Sequence, residues 1–335
     1  MIKQPLPRID LDKTLRKLLL PFCRLKKWEI WEDPLGKHKV GCMNAAEESY
    51  IKKFFGRKRA VLAIQDPPYN FVAFKKREIN NFIEWCKDWI NNSYSILKPD
   101  SSLYIWLGAD QKFHFQPLSQ FIQMMSETMF NSRSFITMRN QRGYGTQKNW
   151  MSVRQELLYY IKGNPKFYAE AEYTDIPKVL KGYYKTVNGK KTENLGRSKS
   201  KFIRAGNVWV DVQQIFYRME ENVNGCYAQK PIKSIIRIIE ASSKQGELIT
   251  DFFSHSGATL ISAELKRRKC YTVDIDPVFC EISIRRLEKF RESGETGWQN
   301  SNPFADEIKK SRKIKSYLKQ QYNLIYDKLQ LLDAD

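Results

Sequence analysis

Hydrophobic and polar positions along the chain alternate between short apolar runs and longer helical periodicities. Residues 60–65 (AVLAIQ) are apolar up to a terminal Gln and stop at Asp66-Pro67-Pro68. A strand buried on both faces has this pattern. Ile79, Phe82, Ile83, Trp85, Trp89 and Ile90 follow at helical spacing, Leu97–Asp100 reads as a turn, and Leu103–Leu107 (LYIWL) as a second strand. Residues 113–130 return to helical spacing, 134–138 to a strand, and Glu156–Lys162 (ELLYYIK) to another strand. From Pro231 the alternation resumes. Ile232, Ile235, Ile236 and Ile239 trace one helix face, followed by a strand over 247–250, a helix over 262–268, a strand over 271–273 and a helix over 278–290. Strands alternating with helices predict an α/β fold built on a parallel, doubly wound sheet with helices on both faces.

Two stretches break the pattern. Residues 139–150 are rich in Gly, Arg, Asn and Gln, and 178–204 carry nine Lys and Arg residues against a single acid, Glu193. Basic residues interleaved with Gly and Tyr fit a surface that tracks a phosphate backbone and orders on binding; a solvated linker is the alternative. A charged, amphipathic segment over 304–332 suits a packing helix or a partner contact equally.

Composition narrows the function. The chain has 335 residues, 42% of them hydrophobic, enough for one large α/β domain with an insertion or for two modest domains. Its net charge of +20 points to a polyanionic partner, since each neutralised phosphate releases counterions. The six cysteines form no C-x-x-C pair and the three histidines stand apart from them, so no bound metal is expected. The apolar run Leu18–Phe22 is too short for a bilayer and is interrupted by Pro21; no membrane association and a cytoplasmic location are expected.

Two motifs carry chemistry. Asp66-Pro67-Pro68-Tyr69 closes the first strand. Each Pro fixes its own φ and keeps its predecessor extended, which presents the Asp66 carboxylate at the carboxyl edge of a sheet, where open α/β folds take ligands. An exocyclic aromatic amine needs such an acceptor. Its lone pair is delocalised into the ring, and acceptors for its N–H hydrogens favour a pyramidal nitrogen whose lone pair points at an incoming methyl group. Tyr69 offers a flat face on which a base can stack. The second motif is Glu247–Thr259 (ELITDFFSHSGAT) with 269–277 (KCYTVDIDP): strand, acid, small-residue loop, helix, strand, acid. This plan holds an adenosine moiety, with Ser254, Ser256 and Gly257 letting the backbone approach and Asp274 accepting from ribose hydroxyls. The loop lacks G-x-G-x-x-G, which favours a sulfonium cofactor over a dinucleotide.

The ordered set resembles the β-class (permuted) amino-methyltransferases of bacterial restriction–modification systems, N6-adenine type. Further matches are LKPDSSLYIW (97–106), RQELLYYIK (154–162) and AQKP (228–231), and the likeness covers roughly residues 40–290. The resemblance implies a Rossmann-like methyltransferase sheet with an inserted basic target-recognition region. It implies transfer of a methyl group from S-adenosylmethionine to N6 of adenine in double-stranded DNA after base flipping. N4 of cytosine, or a catalytically weak DNA-binding homologue, are the alternatives. Asp66, Pro67, Pro68 and Tyr69 would hold the base. Asp251, Phe252, Phe253, Ser254, Ser256 and Gly257 would line the cofactor pocket, with Asp274 on the ribose and Lys230 closing the site. Arg139, Arg142, Lys148, Lys190, Lys191, Arg197, Lys199 and Lys201 are the candidate DNA contacts. DPPY, where N4-cytosine enzymes typically carry SPPY, implies adenine. A cognate restriction endonuclease and a homodimer are possible partners. The corresponding division is 1–40 (N-terminal extension), 41–138 (catalytic half), 139–222 (target recognition), 223–295 (cofactor half) and 296–335 (charged C-terminal helix). The chain departs from the family at His255, usually Gly, and at Cys42, where an acid often follows Gly41.

Overall fold

All six positions of residues 60–65 are buried, because this strand lies inside a sheet covered on both faces. A computed structural model describes residues 6–68, 78–108, 113–144, 150–168, 173–177, 184–193, 201–213, 215, 219–299 and 301–322. The strands are β1 (Ile30–Glu32), β2 (His38–Cys42), β3 (Ala60–Gln65), β4 (Leu97–Leu107), β5 (Asn131–Tyr144), β6 (Ser152–Lys162), β7 (Tyr173–Pro177), β8 (Tyr184–Val187), β9 (Lys190–Glu193), β10 (Phe202–Arg204), β11 (Val208–Trp209), β12 (Leu248–Asp251) and β13 (Lys269–Asp274). The helices are α1 (Lys13–Leu19), α2 (Glu48–Phe55), α3 (Ile79–Ile96), α4 (Leu118–Ser126), α5 (Ile232–Ser242), α6 (Ala258–Leu265), α7 (Pro277–Ser293), α8 (Ala305–Lys310) and α9 (Arg312–Tyr322).

Nine strands form one sheet in the order β1-β2-β13-β12-β3-β4-β6-β5-β11. β2, β13, β12, β3 and β4 run parallel, and β6 is antiparallel to both β4 and β5. Side chains alternate between faces. Leu62, Ile64 and Trp106 pack with α5, α6 and α7 on one side. Ala63, Ile105 and Phe252 pack with α2, α3 and α4 on the other. On α3, Phe82, Cys86, Trp89, Ile90 and Ile96 form the buried stripe that seats it. A third apolar cluster joins Leu6, Ile9, Leu15 and Leu19 to Val278, Phe279 and Ile282 of α7 and to Ile308, Ile314 and Leu318 of the C-terminal helices.

β12 and β3 are neighbours, and the chain leaves them in opposite directions. β12 leads through α6 to β13, while β3 leads through α3 to β4. A crevice opens at the carboxyl ends of strands that diverge in this way.

Several elements differ from the pattern-based expectation. β4 begins at Leu97, so the expected turn at 97–100 lies within the strand, at an irregularity in the β3 pairing that accommodates Pro99. The helix expected over 113–130 is confined to 118–126, since Pro117 can stand only at its start. β5 runs on to Tyr144, past the expected boundary at residue 138, and β6 beyond it belongs to the central sheet. The C-terminal segment is broken at Ser311 into α8 and α9. β8 and β9 pair across Asn188-Gly189, both at positive φ (51° and 74°), as a two-residue hairpin turn of the mirror-image kind requires.

Candidate active site

Gln65 ends β3 and is fully buried. Its Oε1 accepts from the Phe252 backbone N–H at 2.7 Å and its Nε2 donates to Ser93 Oγ at 3.3 Å, so the ends of β3 and β12 are tied through one amide. Asp66 follows. Both of its carboxylate oxygens accept from Lys230 Nζ, at 2.9 and 2.8 Å. The Lys230 side chain is only 9% exposed and that of Asp66 24%. The Lys230 ammonium lies 5.4 Å from the ring centroid of buried Trp106 on β4. Taking an ammonium out of water is costly; the carboxylate and the aromatic face offset that cost.

At the end of β12, buried Asp251 accepts from the Phe253 backbone N–H at 2.8 Å. Burial pushes its pKa up to about 7. The loop that follows is fastened from several sides. Ser254 N–H donates to Val273 O at 2.9 Å, and the hydroxyls of Ser254 and Ser283 are 2.7 Å apart. Fully buried Arg286 donates to the carbonyls of Ser256 (2.8 Å), Thr296 (2.6 Å) and Glu221 (2.9 Å). The Asp274 carboxylate accepts from the backbone N–H groups of His255 (2.9 Å) and Asp276 (3.0 Å), and burial pushes its pKa, too, up to about 7. His255 sits at φ 45° with its ring 4.8 Å from that of Phe279. Burial lowers its pKa to about 4 and leaves Nε2 without a hydrogen-bond partner among the described residues.

These elements line a narrow cavity, partly open to solvent, that brings Asp66 and Lys230 together with Asp251, Phe253, Ser254 and Ser256. Ile64, Trp106, His255 and Thr259 complete much of the wall. Other predicted residues stand elsewhere. Phe252 is in the core, its ring 6.2 Å from Phe55. Gly257, at φ 75°, faces α7: a Cβ there would lie 2.9 Å from Ser283 Cα, so its smallness serves helix packing where ligand approach was expected. Asp274 binds the loop backbone. Tyr69, Lys148, Arg197 and Lys199 lie outside the described residues. Arg139 pairs in register with Arg154, one step beyond Met138 and Gln155, so the β5–β6 ribbon continues past the carboxyl edge of the sheet on the side of Asp66. Arg142 is on β5 and Lys191 on β9, while Lys190 and Lys201 are exposed.

Pattern reasoning missed Gln65, Arg286 and the N-terminal segment. Ile9 N–H donates to Gly225 O at 2.9 Å, and Arg16 pairs with Asp276 at 2.7 Å, bracing the two chain stretches that flank the cavity. A polar residue ending an otherwise apolar strand signals Gln65. Nothing local singles out the other contacts, which span much of the chain.

Residues 61–285 match the N6/N4-type DNA methylase family. The chain belongs to that family. It is an S-adenosylmethionine-dependent DNA methyltransferase with a Rossmann-like fold. Among relatives, the type II methyltransferase M.HpaI of Haemophilus parainfluenzae is 26% identical over 68% of this chain and 68% of its own length. M1.MboII of Moraxella bovis is 30% identical over 71% and 91%. The DNA adenine methyltransferase YhdJ of Escherichia coli is 25% identical over 68% and 76%. The solved PvuII DNA methyltransferase (cytosine-N4-specific) shares the fold, with a TM-score of 0.53 at 16% identity over 79% of this chain and 96% of that one.

The residues of this methyltransferase fit its cofactor. Asp251 at the end of β12 would suit a cationic ligand, Lys230 would supply a counter-charge for a carboxylate, and the buried His255 Nε2 has hydrogen-bonding capacity to spare. When bound, S-adenosylmethionine supplies an electrophilic methyl group on sulfur. Cys42, in place of the family's frequent acid, is buried, with its thiol 3.8 Å from Ile275 O. No helix among the described residues is long and apolar enough to cross a membrane.

Proposed function

We propose that this methyltransferase modifies N6 of adenine in duplex DNA. The observation that carries the reading is the shared cavity: Asp66, at the end of β3, opens on the same space as Asp251 and Ser254 of the cofactor loop. An adenine amino group is inaccessible to in-line attack inside a duplex, so the base is flipped out of the stack. Asp66 then accepts its N–H hydrogens and aims the nitrogen lone pair, while Pro67 and Pro68 hold the acceptor in place and Tyr69 stacks on the ring. Asp251 and the loop Phe253–Ser256 hold the cofactor, with Gly257 seating the loop against α7 and Asp274 on the ribose side, where it also sets the loop backbone. The basic middle of the chain, including Arg139, Arg142, Lys148, Lys190, Lys191, Arg197, Lys199 and Lys201, contacts DNA and reads its target; the excess of 57 basic over 37 acidic residues favours this. The division into a catalytic half, a recognition region and a cofactor half belongs to the same reading. So do a cytoplasmic location, pairing with a restriction endonuclease, and a homodimer. The choice of adenine is supported by the Asp that opens DPPY and by the likeness to a DNA adenine methyltransferase.

The test is base-resolved mapping of methylation in genomic DNA from cells expressing the chain, followed by digestion to nucleosides and mass spectrometry. N6-methyladenine at a fixed sequence is expected. N4-methylcytosine without N6-methyladenine would overturn the base assignment.

A further inference from the structure

Lys230 is the one side chain with a permanent positive charge among the described residues lining the cavity. It is 91% buried and its ammonium is held by both oxygens of Asp66. His255, the other basic side chain in the wall, is kept neutral by burial. The cavity is otherwise acidic, through Asp66 and Asp251. Two carboxylates therefore have a claim on one ammonium. The first is Asp66, needed as a hydrogen-bond acceptor for the target amine. The second belongs to the amino-acid end of the cofactor, an anion that would be costly to enclose among acids without a cation.

We propose that Lys230 serves these two carboxylates in turn, so that cofactor binding draws the ammonium away from Asp66 and frees that carboxylate for the base. This rests on the reading that Asp66 accepts the target amine. The Asp66 lone pairs that would meet an amine are taken by Nζ at 2.8 and 2.9 Å. While that pair stands, a base finds the ammonium on its acceptor; once the cofactor has drawn Nζ away, it does not. The arrangement makes the cofactor the preferred first ligand and couples the two sites through one side chain. The anchoring differs on the two sides. Asp251 and Asp274 are held by backbone N–H groups of the loop after β12 and of the turn after β13, which cannot leave without unfolding those segments. The Lys230–Asp66 pair joins two side chains, one of them on a flexible four-carbon stem.

The test uses two ligands that share the thioadenosine part. S-adenosylhomocysteine carries the amino-acid end and an uncharged sulfur; 5′-methylthioadenosine lacks the amino-acid end. Affinities are measured by calorimetry on the full chain. Asp66→Asn keeps the shape of the side chain and removes its claim on Lys230. It should tighten S-adenosylhomocysteine by about tenfold, the scale of one charged hydrogen bond, and leave 5′-methylthioadenosine within about twofold. Lys230→Met should weaken S-adenosylhomocysteine alone, and in that background Asp66→Asn should no longer tighten it. Thermal melts of each variant establish that the fold is retained. An Asp66→Asn variant that binds S-adenosylhomocysteine as wild type does, or more weakly, overturns the shared ammonium. So does an equal change for both ligands. Failure of the wild-type chain to bind either ligand would overturn the cofactor site itself, and the inference with it. Absence of N6-methyladenine in cells, with the calorimetric pattern intact, would overturn the base assignment alone.

Discussion

Asp251 closes β12 and Asp66 follows β3, its neighbour in the sheet, yet the two carboxylates are held by different chemistry. Asp251 is buried, accepts from the backbone of its own loop, and has a pKa raised to about 7. Asp66 is partly open and paired to the side chain of Lys230. The proposed cofactor side is therefore built from fixed parts: backbone donors, the Ser254–Ser283 contact, and Arg286 gripping three carbonyls. On the proposed base side the contact with Lys230 is one that side-chain rotation can make or break. A carboxylate meant to hold a ligand in one pose benefits from rigid partners, and one proposed to accept hydrogen bonds from an arriving amine benefits from a partner that can leave.

The comparison is broken most directly at Asp66. Asp66→Ala should lower methyl transfer by roughly 10² or more, by analogy with the loss of an oriented transition-state partner, with the fold retained and the melting temperature lowered, since Lys230 loses the carboxylate that offsets its burial. Near wild-type turnover of the purified variant would remove Asp66 from the chemistry. On the rigid side, Gly257→Ala should destabilise the fold by about 2 kcal/mol, because the residue sits at φ 75° and the new Cβ would press on Ser283. Denaturant titration would show it, and an unchanged midpoint would mean that α7 yields easily.

A smaller effect distinguishes the acids by pH. Asp251 and Asp274 have folded pKa values near 7 against an ordinary 3.8. Between those values the folded chain holds more protons than the unfolded one, so their contribution to stability is present at low pH, falls as pH rises from about 4 to about 7, and is level above. A cationic cofactor prefers the ionised acids. Its affinity should rise by roughly three- to tenfold from pH 6 to 8, and Asp274→Asn should remove part of that rise. A flat calorimetric profile would mean that these acids do not face the cofactor's charge. The smallest single change is expected on the DNA side. For about six phosphate contacts the log–log salt slope should be near −5, and Lys190→Gln should reduce it by about one unit. A binding isotherm insensitive to salt would turn the basic hairpin toward solvent.

The fold class was legible because strand and helix periodicities are local. The buried run at 60–65, the helix opening at Ile79 and the acid-ended strands at 248–251 and 269–274 could all be read in the chain. The Asn188-Gly189 pair carries the local signature of a tight hairpin turn, although it lies within the basic stretch 178–204. Element ends were less so. β5 outruns its apolar core by several residues because its partner β6 continues alongside, and pairing is a property of two strands.

By itself, then, the sequence determined the order of strands and helices, the family resemblance, and that acids follow the apolar runs of β3, β12 and β13, since these depend on residue type, local rigidity and order. Only the tertiary structure decided which of them meet. It turned Phe252 into core and Gly257 into a packing contact, set Asp274 on the loop backbone, and brought Lys230 onto Asp66 across 164 positions of chain. The reason is physical: side-chain direction at a strand end, burial and the choice of ion partner are set by neighbours distant in the chain. No local pattern encodes them until the sheet has closed.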